Sequence, residues 1–442
     1  MSPEPAINSE EDTESLADDY LDVLSSQNYT MASVYLGVFC SNILSKQQFG
    51  KNTKIHRDHL PPPLATWKDL IKHPHKDEIL KATHLELNQL MKDTLEIDNS
   101  YEGHKLPLKW IWTYKFDSEG YLSKFKARLC VRGDLQLPSL QETYAATLAM
   151  KKFRAMMALM CAFDLESRQY DLVNAFCNAK LSKPIHCKPP VGFEHLGGSL
   201  KVKRALYGLR ESPRICLCTL TETLTRYGFE CVPGVDCVMR ADNAILLIYV
   251  DDLILLYWPT DVYVANEFEK KLSSNFKLTS IGEAKWFLGI EIIRDRKNKR
   301  VWISQRSYCE KLGKKFNIEG RNSHPTIPLP QTTIICKNEG QASKSRVQGY
   351  QQKVGSLGYA AMSTRPDISK AHAVLAQFLQ NPSERCLELA DHLLSYLYGS
   401  RNLALSFNGH EPPWQIFAML LTQITMTGRV HRDYCSRCTV VR

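Results

Sequence analysis

The sequence predicts an α+β protein. Strand-like and helix-like segments alternate along the 442 residues without the regular strand–helix rhythm of a doubly wound sheet. Trp110–Val131 and Cys237–Tyr257 each show two apolar runs around polar turn residues, the pattern of a β-hairpin. A hydrophobic fraction of 44% over this length is typical of a globular chain with more than one core. We therefore expect two to four subdomains rather than one layered sheet.

The elements follow from apolar spacing and from turn residues. Helical spacing predicts helices at Thr66–Leu95, Phe153–Phe163, Leu217–Tyr227, Val262–Phe276, Gln305–Phe316, Tyr350–Phe378 and Ser383–Tyr398. Alternation predicts β-structure at Trp110–Val131, Gln169–Phe176, Cys237–Tyr257 and Trp286–Ser304. Gly120 suits the tight turn of the first hairpin, Gly228 closes a helix, and Pro366 is expected to split the helical stretch that contains it.

Charge is distributed unevenly. The net charge is +9, yet residues 1–45 contain eight acidic side chains and no Lys or Arg. The rest of the chain is therefore strongly basic, which favours a polyanionic partner such as nucleic acid; solubility alone is an equally good explanation. We expect residues 1–60 to form an acidic, largely disordered leader. No apolar run reaches membrane-spanning length, so no membrane partner is expected.

Two adjacent carboxylates interrupt the apolar run Ala244–Tyr257. Asp251 and Asp252 lie within Ile-Tyr-Val-Asp-Asp-Leu-Ile, at the expected tip of a buried hairpin. An unpaired ion in such a setting costs several kcal/mol, so a cation should meet these side chains. A divalent metal would serve, with one Asp as the main ligand and its neighbour in support, because adjacent strand residues face opposite ways. The alternative is a turn whose carboxylates reach water.

A third carboxylate, Asp171, ends another predicted strand and is followed by Ala175 and Phe176. It could be an ordinary surface residue. Placed beside Asp251, it would add an oxygen donor for two Mg²⁺ ions ~3.5–4 Å apart, which stabilise the attacking and leaving oxygens of a phosphoryl displacement. Such a site uses hard oxygen ligands and needs no Cys or His.

Three basic or glycine-containing segments could hold the substrate. Alternation places Lys124, Lys126 and Arg128 on one strand face, which suits a triphosphate or is simply solvated. The turn Ala205–Arg214 could form a wall under an incoming base or be an ordinary helix entry. The basic hairpin Trp286–Trp302 could contact a duplex backbone or be a solvated turn.

Taken in order, these motifs resemble the reverse transcriptase region of Ty1/copia-type long-terminal-repeat retrotransposons, from about Pro61 to about Phe407. The ordered set is Lys126-Ala-Arg-Leu, Asp171 with Ala175-Phe176, Pro189-Pro-x-Gly-Phe193, Leu206-Tyr-Gly-Leu209, Tyr249-Val-Asp-Asp252, Phe287-Leu-Gly-Ile-Glu291, Val354-Gly-Ser-Leu357, Thr364-Arg-Pro-Asp-Ile368 and Tyr396-Leu-Tyr-Gly399.

The resemblance implies a right-hand polymerase fold. Residues 61–265 would form the fingers and palm, 266–325 a thumb-like segment, 326–407 a helical connection segment and 408–442 a degenerate tail. The implied activity is RNA-directed DNA polymerisation on an RNA or DNA primer–template, with deoxynucleoside triphosphates as substrates. Related elements assemble in cytoplasmic particles, although no segment of this sequence gives a cellular location.

The resemblance also assigns residue roles. Asp171 and Asp251 would bind two Mg²⁺ ions, or Mn²⁺ in their place, with Asp252 assisting. Phe176 would lie under the sugar of the incoming nucleotide and exclude a 2′-hydroxyl. The rest of the nucleotide site would be formed by Lys126, Arg128, Tyr249 and Glu211.

Several positions depart from the family pattern. Glu211 stands where Gln is common, Asp134 replaces an aromatic residue, and no aromatic follows shortly after Arg214. An acid beside a triphosphate would repel it unless turned away or protonated. We also expect a frameshift near Phe417, which would make residues 418–442 an out-of-frame remnant of a ribonuclease H opening. The alternatives are therefore an inactive remnant that at most binds nucleic acid, and a metal-dependent nuclease.

Overall fold

A computed structural model describes residues 55–117, 119–137, 142–330, 335 and 338–410, and the backbone of 440–441. The expected frameshifted tail and most of the acidic leader lie outside these residues. Within them, the mixture of helices and antiparallel strands confirms the predicted α+β class. No helix in the described ranges combines the length and apolar character needed to cross a bilayer.

The helices are α1 (Trp67–Ile71), α2 (Lys76–Asp93), α3 (Met150–Ala162), α4 (Ser212–Arg226), α5 (Val262–Ser273), α6 (Arg306–Lys315), α7 (Lys344–Ser363), α8 (Ser369–Ala376) and α9 (Glu384–Gly399). The strands are β1 (Leu95–Asp98), β2 (Leu108–Phe116), β3 (Leu122–Val131), β4 (Glu166–Leu172), β5 (Lys180–Cys187), β6 (Ser199–Arg204), β7 (Glu230–Cys231), β8 (Val238–Ala241), β9 (Ala244–Tyr249), β10 (Asp252–Tyr257), β11 (Leu278–Gly282), β12 (Trp286–Phe287), β13 (Ile290–Asp295), β14 (Arg300–Ser304), β15 (Ala404–Asn408) and β16 (Val440–Val441).

The chain divides into two compact units. Unit 1 contains the described residues up to Thr83 together with Trp112–Ala127, and unit 2 contains His84–Ile111 and the described residues from Arg128 onward. The domain boundaries predicted at residues 60, 265, 325 and 407 remain predictions.

Unit 1 is organised around the start of α1 and the outer part of the β2–β3 hairpin. Thr66 and Asp69 form a capping box that satisfies the first amides of α1. The indole of Trp112 donates to the hydroxyl of Thr83, and both side chains are buried. This indole–hydroxyl bond joins β2 to the first part of α2.

The centre of unit 2 is a six-stranded antiparallel sheet in the order β11-β4-β10-β9-β8-β7. Its two faces are covered by different cores. Ile254 and Leu256 belong to a cluster with α3, β13 and β14, whereas Leu253 and Leu255 belong to a cluster with α4 and α5. A strand buried on both faces has no polar side, which explains why β9 and β10 are almost continuously apolar.

Three further assemblies complete unit 2. One is a three-stranded sheet, β1-β6-β5, and another is a five-stranded sheet, β12-β13-β14-β15-β16. Helices α6, α7, α8 and α9 form a bundle with a core of its own around Tyr350, Leu357 and Leu393. Helices α7, α8 and α9 of this bundle fall within the predicted helical connection segment, whereas α6 falls within the predicted thumb-like segment.

The predicted elements differ from the observed ones mainly at their ends. The single helix expected at Thr66–Leu95 is two helices, because the chain turns through residues 72–75, where Pro74 cannot donate a helical hydrogen bond. The helix expected from Leu217 begins at Ser212, because Pro213 fits the first turn of a helix. The hairpin predicted around residues 294–300 is confirmed as β13 and β14.

Candidate active site

The turn between β9 and β10 presents the acid pair. Tyr249 and Asp252 are register partners, so Val250 and Asp251 form the turn. Val250 has a φ of +57°, a conformation that a β-branched residue adopts only under strain. The amide of Leu172 donates to the carbonyl of Asp251 at 2.8 Å, which ties the end of β4 to this turn. Strain held in place by neighbouring backbone is a feature of functional turns.

Asp171 and Asp252 face each other across β4 and β10. They are direct register partners, so their side chains share one face of the sheet. Burial raises the pKa of Asp252 to about 6, with further contributions from Asp251 and Asp171, while a hydrogen bond from Gln169 opposes the shift. The three carboxylates are therefore close enough to repel one another, while their role as metal ligands remains a prediction.

The expected roles, with Asp171 and Asp251 as metal ligands and Asp252 assisting, remain a prediction. Asp252, and not Asp251, is the residue directly opposite Asp171, because Asp251 stands in the turn. The sequence could not show this, because strand register depends on contacts that are distant along the chain.

The donor set suits a hard divalent cation. Three half-buried carboxylates supply oxygen ligands and an excess of negative charge. In the described part of the chain, no group of three or more His, Cys, Asp or Glu side chains is arranged so that it could hold a metal ion by itself. Mg²⁺ is commonly held by one or two carboxylates together with substrate phosphates and water, so a partial protein cage fits that ion.

Tyr207 lies between the triad and Arg128. The Arg128 guanidinium stands 5.4 Å from the centre of the Tyr207 ring, and Phe176 packs edge-on against the same ring at 4.8 Å. Burial raises the pKa of Tyr207 to about 12; Asp251 adds to this shift and Arg128 opposes it. Arg128 and Phe176 therefore contact one aromatic ring, and Asp251 lies close enough to influence it electrostatically.

Phe176 is placed by a short 3₁₀ turn. Ala175–Asn178 forms this turn after Asn174, which adopts a left-handed conformation with a φ of +51°. Asn tolerates this conformation better than most residues do. The resulting bend, directly after β4, sends the Phe176 ring into the core that contains Tyr207.

Two glycines allow the end of β3 to approach the turn that contains Tyr207 closely. The amide of Val131 donates to the carbonyl of Tyr207 at 2.7 Å. Gly208 has a φ of +93°, and a Cβ there would lie 2.0 Å from the Val131 carbonyl oxygen. A Cβ on Gly133 would lie 1.9 Å from the Gly208 carbonyl oxygen. The two backbones touch at a distance that only glycine permits, and this contact fixes Arg128 beside Tyr207.

We expect Gly208→Ala to lower the free energy of unfolding by about 2–5 kcal/mol, since backbone strain adds to a clash with Val131. Gly228→Ala is a matched control, because Gly228 has a φ of +91° but nothing within 4 Å of its added Cβ. Gly228→Ala should lower the free energy of unfolding by only about 1–2 kcal/mol. Urea unfolding measures both variants. Equal losses would show that the close backbone contact does not contribute.

Glu211 is turned toward a neighbouring loop. Its carboxylate accepts a hydrogen bond from the Gln136 side chain at 3.0 Å. The Gln136 side-chain oxygen Oε1 accepts from the backbone amide of Arg210, and Asp134 forms an ion pair with Arg132 at 2.7 Å. The two unusual acids, Glu211 and Asp134, thus have local partners, which reduces the repulsion expected between Glu211 and a triphosphate.

The other predicted site residues divide between the two units. Lys124 and Lys126 belong to unit 1, whereas Arg128 belongs to unit 2. Tyr249 lies in unit 2 beside the triad, with its ring centre 6.4 Å from that of Phe287. The assignment of Lys126, Arg128, Phe176, Tyr249 and Glu211 to nucleotide binding remains a prediction.

The basic hairpin β13–β14 uses two of its arginines internally. Arg294 pairs with Asp164 and donates to the Leu165 carbonyl, and Arg296 pairs with Glu166. Lys297 and Lys299, at the turn, are exposed. Any contact with a duplex backbone would therefore depend on the lysines more than on these arginines.

Tyr207 and Gln169 are site residues to which the sequence analysis gave no individual role. Gln169 is buried two residues before Asp171, so both side chains lie on one face of β4. The two-residue spacing from Asp171 could therefore have indicated from the sequence that Gln169 faces the site. Tyr207 follows Leu206 in the predicted turn, but its place beside Arg128 depends on the long-range contact with β3.

Comparison with known proteins identifies the class. A family model described as "Reverse transcriptase (RNA-dependent DNA polymerase)" matches residues 93–331, more than half of the chain. The chain belongs to this reverse transcriptase family, and its relatives place it in the Ty1/copia-type group of Pol polyproteins.

Three relatives define that group. The chain is 30% identical over 364 residues to the retrovirus-related Pol polyprotein from transposon TNT 1-94 of Nicotiana tabacum, which covers 78% of this chain and 27% of the relative. It is 31% identical over 305 residues to that from transposon RE1 of Arabidopsis thaliana, covering 66% and 20%. It is 25% identical over 367 residues to the truncated transposon Ty1-A Gag-Pol polyprotein of Saccharomyces cerevisiae, covering 76% and 29%. The chain thus spans less than a third of each of these relatives.

A solved structure, the foamy viral protease-reverse transcriptase dRH in complex with double-stranded DNA, is 13% identical with a TM-score of 0.40. The match covers 93% of this chain and 68% of that one. At this level the similarity supports no functional conclusion.

Proposed function

We propose that this chain is an RNA-directed DNA polymerase that adds deoxynucleotides to a primer 3′ end. The observation that carries the proposal is the convergence of Asp171, Asp251 and Asp252 at one strand end, next to the Arg128–Tyr207–Phe176 group. Carboxylates at one side and an arginine at the other are complementary to a metal-bound triphosphate.

Asp171 and Asp251 would hold two divalent metal ions, and Asp252 would assist. When bound, such ions stabilise charge on the attacking and leaving oxygens of the phosphoryl transfer. Arg128 binds the triphosphate through its planar guanidinium, which the Tyr207 ring supports from one side. The buried sheet holds Asp171 and Asp252 on rigid strands and Asp251 in the short turn that joins β9 to β10, which orients the substrate more reproducibly than a long loop would.

Primer extension tests this function. The chain, supplied with an RNA template, a DNA primer and four deoxynucleoside triphosphates, should lengthen the primer in Mg²⁺ or Mn²⁺. A DNA template in a parallel reaction gives the template preference. Absence of any extension with either metal would contradict the proposal.

The same assay distinguishes the two alternatives. An inactive remnant would retain the primer–template in a gel-shift experiment without extending it, and the departures at Asp134 and Glu211 favour this alternative. A nuclease would shorten the template without extending the primer. Because Asp134 and Glu211 both have local partners, these two departures from the family pattern are weaker evidence for the inactive remnant.

Phe176 offers a test of sugar selection. The ring is buried against Tyr207 directly after β4, and we propose that it excludes a 2′-hydroxyl. Phe176→Ala should raise the kcat/KM for ribonucleotides relative to deoxynucleotides by about tenfold or more, since removing a steric clash is worth at least 1.4 kcal/mol. Phe268→Ala, in the same hydrophobic cluster, should lose comparable packing without changing this ratio. If Phe176→Ala still excludes ribonucleotides, the Phe176 ring is not the group that excludes the 2′-hydroxyl.

A further inference from the structure

Three sequence motifs have no part in the site described so far, yet they meet at one place. These are Phe287-Leu-Gly-Ile-Glu291, the helix α7 that contains Val354-Gly-Ser-Leu357, and Thr364-Arg-Pro-Asp-Ile368. The meeting point is the turn between β12 and β13, where the hydroxyl of Tyr359 in α7 donates to the carbonyl of Leu288. A contact between residues 71 positions apart couples the helical bundle to this turn.

The turn itself is strained and lies beside the acid pair. Phe287 and Ile290 are register partners, so Leu288 and Gly289 form a two-residue turn with φ values of +53° and +73°. Leucine is disfavoured in this left-handed region, and its surroundings must hold it there. The buried Phe287 ring packs edge-on against Tyr249, two residues before Asp251. The position of the turn and that of the catalytic hairpin are therefore linked through Phe287.

A buried polar cluster surrounds the Tyr359 hydroxyl. Gln305 is 2% exposed and accepts a hydrogen bond from Thr364 at 2.9 Å, while Ser363 is fully buried. The Gln305 and Ser363 side chains lie beside the Tyr359 hydroxyl, where they oppose the rise that burial causes in its pKa. Buried hydrogen-bonding groups thus surround the hydroxyl that donates to Leu288.

Helix α3 braces the same junction from the other side. Arg154 donates to the carbonyls of Met362 and Ser363, at 2.7 and 3.4 Å, and so holds the C-terminal end of α7. The preceding residue, Phe153, stacks on Phe287 with ring centres 5.3 Å apart. Neighbouring residues of one helix thus fix both the end of α7 and the base of the turn.

We propose that Tyr359 is a positioning residue for the polymerase reaction, and that its hydroxyl sets the β12–β13 turn and with it the alignment of the primer end at Asp251. This inference rests on the proposed function. The exposed residues Trp286 in β12 and Gly289 in the turn provide the surface that the growing strand would meet beside Tyr249. A shift of the turn would misalign the reacting atoms without removing any group that binds the nucleotide.

The test is Tyr359→Phe, which keeps the ring and removes the hydroxyl. We expect kcat to fall about tenfold, because a small misplacement of reacting groups slows chemistry more than binding. KM for the deoxynucleotide and Kd for the primer–template should each change less than about twofold. Hydrogen exchange of the Leu288 and Gly289 amides should become faster in the variant.

Tyr308→Phe is the matched control. Its ring packs edge-on against that of Tyr359 at 5.0 Å, but its hydroxyl donates to the Ser356 carbonyl inside the bundle. The control should keep wild-type kcat and wild-type exchange in the turn. An active wild-type chain with unchanged kcat in Tyr359→Phe, or with equal losses in both variants, would overturn the positioning role and leave the proposed function intact. A wild-type chain that extends no primer would overturn both.

Discussion

Asp251→Asn should reduce primer extension by about 10³-fold or more, because it removes a ligand from a site that supplies several kcal/mol of charge stabilisation to the reaction. Asp171→Asn should have an effect of the same order. Both substitutions are nearly isosteric, and they remove one charge from a cluster whose members repel one another. Neither variant should be less stable than the wild type, so the loss should appear in kcat and not in the folded fraction.

Asp242→Asn is the control for this experiment. Asp242 is exposed in the turn between β8 and β9, at the opposite end of β9 from Asp251. Its substitution should leave extension unchanged. Retention of more than about a tenth of wild-type activity by Asp251→Asn, in protein of normal stability, would mean that this carboxylate is not a metal ligand.

The second large effect concerns stability. Arg365 is 1% exposed and forms a bidentate ion pair with Asp367, with further hydrogen bonds to the carbonyl and hydroxyl of Ser400. Asp367 also accepts from the hydroxyl of Tyr396. Removing one partner of a buried pair leaves the other uncompensated, so Arg365→Met should lower the free energy of unfolding by about 3–5 kcal/mol.

Two further variants separate the ion pair from general effects. In Arg365→Met/Asp367→Leu no buried charge remains, and much of the lost stability should return. Arg385 pairs with Glu388 on an exposed helix face, so Arg385→Met should change stability by less than about 1 kcal/mol. Urea unfolding of all three measures the differences. If Arg365→Met behaves like Arg385→Met, the buried pair does not stabilise the bundle.

The acid triad could be predicted because its chemistry is local in sequence. Two aspartates inside an apolar run, and a third at the end of another strand, are visible without coordinates. The alternation of Lys124, Lys126 and Arg128 with Phe125, Ala127 and Leu129 was visible for the same reason, and of these apolar neighbours Ala127 and Leu129 are buried. What pattern alone could not supply was the register that sets Asp252, and not Asp251, opposite Asp171.

Long-range contacts account for the rest. Tyr207 lies beside Arg128 because the end of β3 approaches the turn that contains Tyr207. Gly133 and Gly208 permit this approach, since a Cβ on either residue would clash with a backbone carbonyl oxygen. The Tyr359–Leu288 bond joins a helix to a turn that precedes it by 71 residues. Short strands such as β1, β7 and β12 were not predicted individually, because they are too short to show a period and exist only through their partners.

The most direct test of the central claim is metal binding at the triad. A complex of the chain with a chain-terminated primer, its template and the next deoxynucleotide would be titrated with Mn²⁺ and followed by electron paramagnetic resonance. We expect the wild-type complex to bind Mn²⁺ tightly. Mn²⁺ binding should be strongly weakened in Asp171→Asn and Asp251→Asn, and unchanged in Asp242→Asn. Equal Mn²⁺ binding by all four proteins would contradict the central claim.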